Sequence, residues 1–560
     1  MKTLSIRDII GPIMIGPSSS HTAGALRIAL MTRRLLEKTP SKVHFKLYGS
    51  FAHTYQGHGT DRALLGGILG MNPDDERIRN SFELARKAGI DFAFIPVTNT
   101  VTAHSNTVDI EIFEDDSLCM SIRGESIGGG AAHITRINGV DVLLDGEYSS
   151  LVIRQQDTPG VLAHITHVLS EAGINIATTK LFREQKGEIA YTIIETDNPL
   201  SQAIATLIAE HPSIHEVRII PSAVQSSEAA PQLSDICSLE LKSAEDNIRQ
   251  AQQALSELNF ENGAQLLDYC ETHSIPLSKA MCLRERAHLA SLGITLDDTR
   301  SYLRHVIEVM RQSATKPFED PQKSMGGLIG GEACAVKKLN TQTQQARALT
   351  GLMATGVSYA LAVLETNACM GKIVAAPTAG SAGVLPALLL SLQDEYKFSD
   401  EELVNGLANA SAIGYIITRN ACVSGAEGGC QAEVGSAAAM AASAAVELLG
   451  GSPRQCFAAA SNALVNMMGL VCDPIAGLVE APCQKRNASG LANALVAAHL
   501  ALAGIENLVP FDQTVEAMRR VGCSLPFELR ESALGGIAAT VAACDFCASR
   551  SHCETPCGCA

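Results

Sequence analysis

The sequence predicts a multidomain chain with an α+β region first, a ferredoxin-like βαββαβ unit in the middle and a mostly all-α region after it. Three observations predict this. At 560 residues the chain exceeds what one growing hydrophobic core accommodates. Residues 149–220 read as four strands and two helices in the split order of that unit. The stretch SAVQSSEAAPQLS, residues 222–234, is poor in large apolar side chains and has the composition of a linker.

Each element has its own signal. In the first region Gly24 to Lys38 carries a helical period with apolar positions on one face, and Val43 to Ser50 alternates like a strand. From Ser149, LVIRQ reads as a strand, DTPG as a proline-containing turn, and VLAHITHVLSEA as a helix stopped by Gly173. INIATTKLF then reads as a strand, QKG as a hairpin turn, EIAYTIIET as an alternating strand, SQAIATLIAEH as a helix and VRII as the last strand. Beyond the linker, Ile236 to Ser313 has long helical periods, and Ala, Gly and Leu dominate the remainder of the chain. The tail after about Ser549 reads as disordered.

Charge and cysteine usage narrow the function. With 59 acidic against 43 basic residues the formal charge is -16, which opposes binding to nucleic acid or anionic lipid. The opening MKTLSIRDIIGPIMIGP lacks the apolar core of a secretory leader. The uncharged run Ile373 to Gln393 is interrupted by Pro377 and Pro386 and reads as a buried loop leading into a helix, not a membrane span. A cytoplasmic protein without membrane or nucleic-acid partners is expected. Seventeen cysteines in such a chain point to metal or redox chemistry, and only Cys119 precedes residue 237. That chemistry belongs to the second half.

Cys430 follows two glycines in RNACVSGAEGGCQAEVG, and Cys472 and Cys483 flank a glycine-containing loop in VCDPIAGLVEAPCQKRNA. Thiolates on iron need backbone N–H groups close to sulfur, which glycine permits. The last two lie eleven apart, unlike the short knuckles of structural zinc sites. Plain buried thiols fit the residues too, and the residues alone leave both readings open.

In GPSSSHTAGA, residues 16–25, Ser18, Ser19, Ser20, His21 and Thr22 lead into a helix. They suit a substrate carboxylate, although one hydroxyl would suffice as an ordinary N-cap. In GHGTDRA, residues 57–63, His58 stands between glycines with Thr60 beyond. It reads either as an accessible imidazole fit for acid–base work or as a loop histidine without a role. GKIVAAPTAGSAG, residues 371–383, offers Thr378 and backbone groups to a cavity. SMGGLIGGEA, residues 324–333, lacks the Lys-Ser/Thr pair and preceding strand of a nucleotide loop.

Taken together, GPSSSHTAGA, GHGTDRA, SIGGG, MGKIVAAPTAGSAGVLPA, SGAEGGCQAEVG and CDPIAGLVEAPCQKRNA resemble the iron-sulfur-dependent L-serine dehydratases over nearly the whole chain. The resemblance implies a β domain of the allosteric-substrate-binding kind at 1–147, an ACT domain at 148–222, a linker at 223–234 and the α domain at 235–560. It implies that Cys430, Cys472 and Cys483 hold a 4Fe-4S cluster whose fourth iron has no permanent protein ligand. It further implies conversion of L-serine to pyruvate and ammonia without pyridoxal phosphate, the open iron activating the hydroxyl as a Lewis acid. His58 is then the expected base, with His21 second, and Ser18, Ser19, Ser20, Thr22, Thr60, Thr378 and Ser424 are expected to hold the substrate.

In relatives without an ACT domain a terminal cysteine caps the open iron. Cys544 stands at that place, in GGIAATVAAC, but Cys547, Cys553, Cys557 and Cys559 come after it. An ACT domain implies an amino-acid effector, with Gly160 and Asn175 at contact positions that a turn and a helix stop also explain, and it implies a homodimer. Two rival readings are a cluster-dependent lyase for threonine or cysteine and a non-catalytic amino-acid sensor.

Overall fold

The computed structural model describes residues 4–114, 116–146, 148–183, 185–196, 198, 200–221, 238–292, 294, 298–342 and 348–549. The expected linker at 222–234, the tail after Ser549 and Cys553, Cys557 and Cys559 lie outside these residues.

Ser5 starts helix α1 (Ile6–Ile9) through a capping box with Asp8. Ile6, Ile9 and Ile10 then join the core of the C-terminal helices rather than that of their own region. Ile6 N donates to the Glu285 carboxylate at 2.9 Å. Strand β1 (Ile13–Ile15) pairs antiparallel with the strand Lys372–Val374, so the start of the chain is built into its far half.

The predicted helix from Gly24 is α2 (Ala25–Leu35), preceded by a π-helical turn, Ser19–Gly24. The predicted strand is β2 (Lys42–Tyr48). Next in the chain are α3 (Gly49–Thr54), α4 (Thr60–Ile68), α5 (Ser81–Lys87), β3 (Asp91–Val97), β4 (Thr107–Glu114), β5 (Ser117–Gly128), β6 (Ala131–Ile137) and β7 (Val140–Leu144). The sheet order is β3-β2-β4-β5-β6-β7, with only the β2–β3 pair parallel. Alternate residues such as Val43, Phe45 and Leu47 point to one face, where Leu26, Ile28, Leu64 and Leu65 of α2 and α4 cover them.

The middle unit comprises β8 (Ser149–Gln156), α6 (Val161–Glu171), β9 (Ile176–Arg183), β10 (Ile189–Thr196), α7 (Gln202–Ala209) and β11 (Ile214–Ile220), which is the βαββαβ order read from the sequence. The sheet order is β11-β8-β10-β9. Leu151, Ile153 and Ile194 face the unit's own helices. Val152, Tyr191 and Ile193 on the other face join the core of the first region. Strand β10 is therefore buried from Ala190 to Thr196 and does not alternate between core and water as its sequence suggested. Its second face is covered by another unit, as in sheets buried on both sides.

The last region is helical. The alanine-rich helix Ser436–Leu448 is buried from Ser436 to Val446, and the helices Asp400–Asn420, Pro453–Met467 and Cys483–Leu502 surround it. A helix apolar on every side belongs in the middle of a bundle. The run Ile373 to Gln393 is a buried strand and loop leading into the helix Val384–Tyr396, and among the described residues no helix is long and apolar enough to cross a membrane. The loop SMGGLIGGEA wraps the protein's own Glu480 carboxylate, which accepts from Ser324 Oγ and Gly326 N at 2.6 Å and from Leu328 N at 2.9 Å. That grip fixes the segment between Cys472 and Cys483.

Candidate active site

The site lies on the seam between the first region and the helical region. Ser18 caps the π-helical turn, its Oγ accepting from His21 N at 3.1 Å. The turn buries His21 completely and sets its ring between two hydroxyls. Nδ1 lies 2.9 Å from Ser20 Oγ and Nε2 lies 2.8 Å from Ser50 Oγ. Ser50 Oγ donates to the Glu531 carbonyl at 3.2 Å, so it accepts from His21, which puts the ring hydrogen on Nε2. Burial pushes the His21 imidazole down to about 3 against the pull of Glu531, and the ring is neutral.

His58 lies between α3 and α4 and stacks on His21 with ring centroids 4.5 Å apart. Thr22 Oγ1 donates to its carbonyl at 2.6 Å, which ties the two motifs together. Its Nδ1 lies 3.3 Å from the Thr54 carbonyl, an acceptor only, so Nδ1 carries the hydrogen of the neutral ring. Nε2 then presents its lone pair 3.3 Å from Glu531 Oε1, without a well-aligned hydrogen bond. His58 is fully buried, which corrects the accessible imidazole expected from its flanking glycines. Residues far away in sequence cover it. One of them passes close to Gly57, where a Cβ would stand 2.5 Å from the Gly477 carbonyl oxygen.

Glu531 is the link to the thiols. Its N donates to the Cys472 carbonyl at 2.8 Å, and Cys472 N donates to the Leu529 carbonyl at 2.9 Å. Burial raises the Glu531 carboxyl, but His21, His58 and the Ala426 amide together hold it below the usual glutamate range. Cys472 and Cys430 are buried, and Cys483 sits at the start of its helix with little exposure. Cys430 precedes a second π-helical turn, Gln431–Gly435, which carries Glu433. Glu433 Oε2 is 3.9 Å from Cys472 Sγ. Gly425 passes between them, where a Cβ would be 2.8 Å from the carboxylate and 3.0 Å from the sulfur.

This wall is rich in groups that resist ionisation. Burial and the Glu531 charge push Glu433 up to about 8. Burial and Glu433 push Cys430 up to about 12, with Arg486 opposing. Cys472 and Cys483 are raised as well, first by burial and then by Glu433 and Cys430 respectively. Arg486 donates to Asp473 Oδ1 and to the Val471 carbonyl, both at 2.8 Å. Buried thiols of this kind ionise when a cation displaces their protons. A four-coordinate zinc would hold sulfurs about 3.8 Å apart. Among the described residues the metal-type group with ligand atoms within 4.8 Å of one another is His21, His58 and Glu531, not the cysteines. The three sulfurs therefore do not all lie within 4.8 Å of one another.

Most of the expected substrate contacts meet at this seam. Ser19 is buried in the first π-turn, and Thr60 is buried with its Oγ1 unpartnered at the start of α4. Thr378 Oγ1 is 3.0 Å from Ser381 Oγ and bonds the Glu433 side chain. Ser424 is buried before the short helix Gly425–Gly428, opposite Gly128. Gly160 and Asn175 are exposed in the βαββαβ unit: Gly160 opens α6 at a φ of 96°, and Asn175 N donates to Asn198 Oδ1 at 3.2 Å. Cys544 lies in the helix Val541–Ala548 and is disulfide-bonded.

Several residues went unread in the sequence. Asn367 Nδ2 donates to the Pro17 carbonyl at 3.2 Å and to the Ala379 carbonyl at 3.0 Å, stapling the serine loop to the threonine loop. Asn487 does the same for the threonine loop and the Cys483 helix, bonding Gly380 O at 2.8 Å and Gly383 N at 2.9 Å. Glu433 had a signal, an acidic residue three after Cys430 among small apolar ones. Glu531 and Ser50 had none.

Acid–base groups shielded from water and set beside a thiol wall are the equipment of an enzyme for a small polar substrate. Family models agree and sharpen this. Residues 5–135 match the serine dehydratase beta chain, 149–212 the ACT domain and 215–538 the serine dehydratase alpha chain. An L-serine dehydratase of Mycobacterium bovis is 30% identical over 553 residues, covering 96% of this chain and 98% of that protein. The L-serine dehydratase alpha chain of Peptoniphilus asaccharolyticus is 44% identical over 49% of this chain and 92% of its own length. The beta chain of the same organism is 40% identical over 37% and 94% respectively. This chain belongs to the serine dehydratase family.

Proposed function

We propose that the chain is an L-serine ammonia-lyase that forms pyruvate and ammonia by β-elimination, using a 4Fe-4S cluster on Cys430, Cys472 and Cys483 and no pyridoxal phosphate. The observation that carries this reading is Glu531, which stands 3.3 Å from His58 Nε2 and is bonded through its backbone to Cys472. One residue thus joins the base to the metal wall. A bound cluster supplies Lewis-acid activation of the substrate hydroxyl.

The protein's own groups do the rest. The hydroxyls of Ser18, Ser20 and Thr378 and the amides of the first π-turn hold the substrate's carboxylate and amino groups. His58 Nε2 takes the α-proton, and Glu531 stabilises the imidazolium that forms. His21 stays neutral and, through Ser20 and Ser50, keeps hydroxyls and Glu531 in place. Loss of the α-proton and the β-hydroxyl gives 2-aminoacrylate, which tautomerises to the imine and hydrolyses to pyruvate and ammonia. The closed seam keeps water from the base until the proton has moved.

The same reading takes 1–147, 148–222 and 235–560 as the functional units, with a linker at 223–234. It makes the ACT unit an amino-acid sensor using Gly160 and Asn175, the assembly a homodimer and the location cytoplasmic. Cys544 caps iron only after its disulfide is reduced. The test is purification without air, then iron content, visible absorbance and product assays with serine, threonine and cysteine. His58→Ala should keep iron and absorbance while kcat collapses. Retained turnover in that variant removes His58 as the base, and sulfide or 2-oxobutyrate as main product would change the substrate.

A further inference from the structure

Arg486 brings a fixed positive charge to the thiol wall. It lies three residues after Cys483, one turn along the helix Cys483–Leu502, so its side chain leaves the helix on the same side as that cysteine. From there it reaches the segment around Cys472. Its two terminal nitrogens donate to the Val471 carbonyl and to Asp473 Oδ1, both at 2.8 Å, which are the residues immediately before and after that cysteine. The guanidinium also hydrogen-bonds the Cys430 side chain. One planar group therefore reaches all three cysteine segments. Asp473 aims it, because Asp473 Oδ2 accepts from Ile537 N at 2.8 Å and leaves Oδ1 to the guanidinium. The side chains of Arg486 and Asp473 are 17% and 3% exposed, so water screens the pair little. Burial works against the Arg486 charge, yet Cys430 and Asp473 together hold the guanidinium above the usual arginine range.

We propose that Arg486 is the positioning residue of the thiol mount, supplying the counter-charge and the hydrogen bond that hold the three cysteines as thiolates around their metal group and that set its reduction potential. This rests on the proposed cluster. Three thiolates beside Glu433 and Glu531 concentrate negative charge where water is excluded, and buried charge without a partner is costly. A lysine would bring a point charge, whereas the guanidinium fork bonds the Val471 carbonyl, the Asp473 carboxylate and a sulfur at once. Net charge and hydrogen bonds to the sulfurs are levers on a cluster's potential. A nearby positive charge favours the reduced, more negative state, so its loss lowers the potential.

Redox titration of the full chain, reconstituted with iron and sulfide without air and followed by absorbance and electron paramagnetic resonance, tests this. Arg486→Gln should shift the one-electron equilibrium towards the oxidised state by at least about tenfold, which is about 59 mV. Its iron should pass to a chelator at about 10–100-fold lower chelator concentration, the usual cost of losing an outer-shell partner. Arg486→Lys keeps the charge and loses the fork. Its potential should stay near that of the unaltered chain while iron retention is impaired, a split that a merely structural role would not produce. If Arg486→Gln takes up no iron, the Lys variant decides by the same two readouts. An unaltered potential in Arg486→Gln, or a potential in Arg486→Lys as low as that of the Gln variant, or unimpaired iron retention in both, would overturn the proposal. An unaltered chain that forms no cluster overturns the cluster itself and this inference with it, whereas a cluster whose potential ignores Arg486 overturns this inference alone.

Discussion

The two π-helical turns, Ser19–Gly24 and Gln431–Gly435, bring opposite chemistries to one seam. The first is held mainly by bonds within the turn, with Ser50 and the His58 carbonyl as partners from nearby chain. His21, Ser18 and Ser20 bond one another, and the imidazole is held neutral. The second depends on distant chain, because Cys430 and Glu433 meet Cys472, Arg486 and Glu531 only through the tertiary fold. A π-turn widens the helix locally and commonly marks a functional position. One wall is therefore held mainly by local hydrogen bonds, whereas the other is assembled from distant parts of the chain.

The second wall is the more vulnerable of the two. Cys472→Ser should lose iron and lower pyruvate formation by at least about 10³-fold, with the fold kept in far-ultraviolet dichroism. Glu531→Gln removes the charge shared by both walls. Its kcat should fall by about 10²–10⁴-fold, the range of general acid–base contributions, while iron content stays near one cluster per chain. Full activity in that variant would show that the walls act independently. Gly57→Ala pushes them apart at the Gly477 carbonyl and should cost about 1–3 kcal/mol in urea unfolding.

A milder change concerns the first wall alone. His21 is held at about 3 by burial, whereas the histidine of the unfolded chain titrates near its ordinary value of 6.5. Between those values the unfolded state binds the extra proton, so this stability is present above about pH 6.5 and is lost as pH falls towards 3. His21→Gln should flatten the acid limb of the stability profile by up to about 1.4 kcal/mol per pH unit. An unchanged slope would mean that another group carries it.

Legibility in the sequence divides along the same line. The βαββαβ unit was readable because its signals are local: Pro159 in the turn, Gly173 as helix stop and apolar periods of the right length. The serine-histidine cluster was readable for the same reason. The burial of His58 was not, because its glycine neighbours say nothing about the distant segment that brings Glu531 over the ring. Ser50 and Glu531 meet across 481 residues, and neither has an unusual local setting. The second buried face of β10 was hidden likewise, since a covering unit leaves only a longer apolar run as its trace.

The N-terminal arm bears on how the chain is made. Ile6, Ile9 and Ile10 belong to the helical core, and Ile13 pairs with Val374. During synthesis at about 5–20 residues per second, roughly 20–70 s pass between the appearance of that strand and of its partner. Until then the isoleucines have no core to enter and are open to chaperones or to wrong pairing. During synthesis, completion of this pairing is therefore a late event that returns to a segment made much earlier.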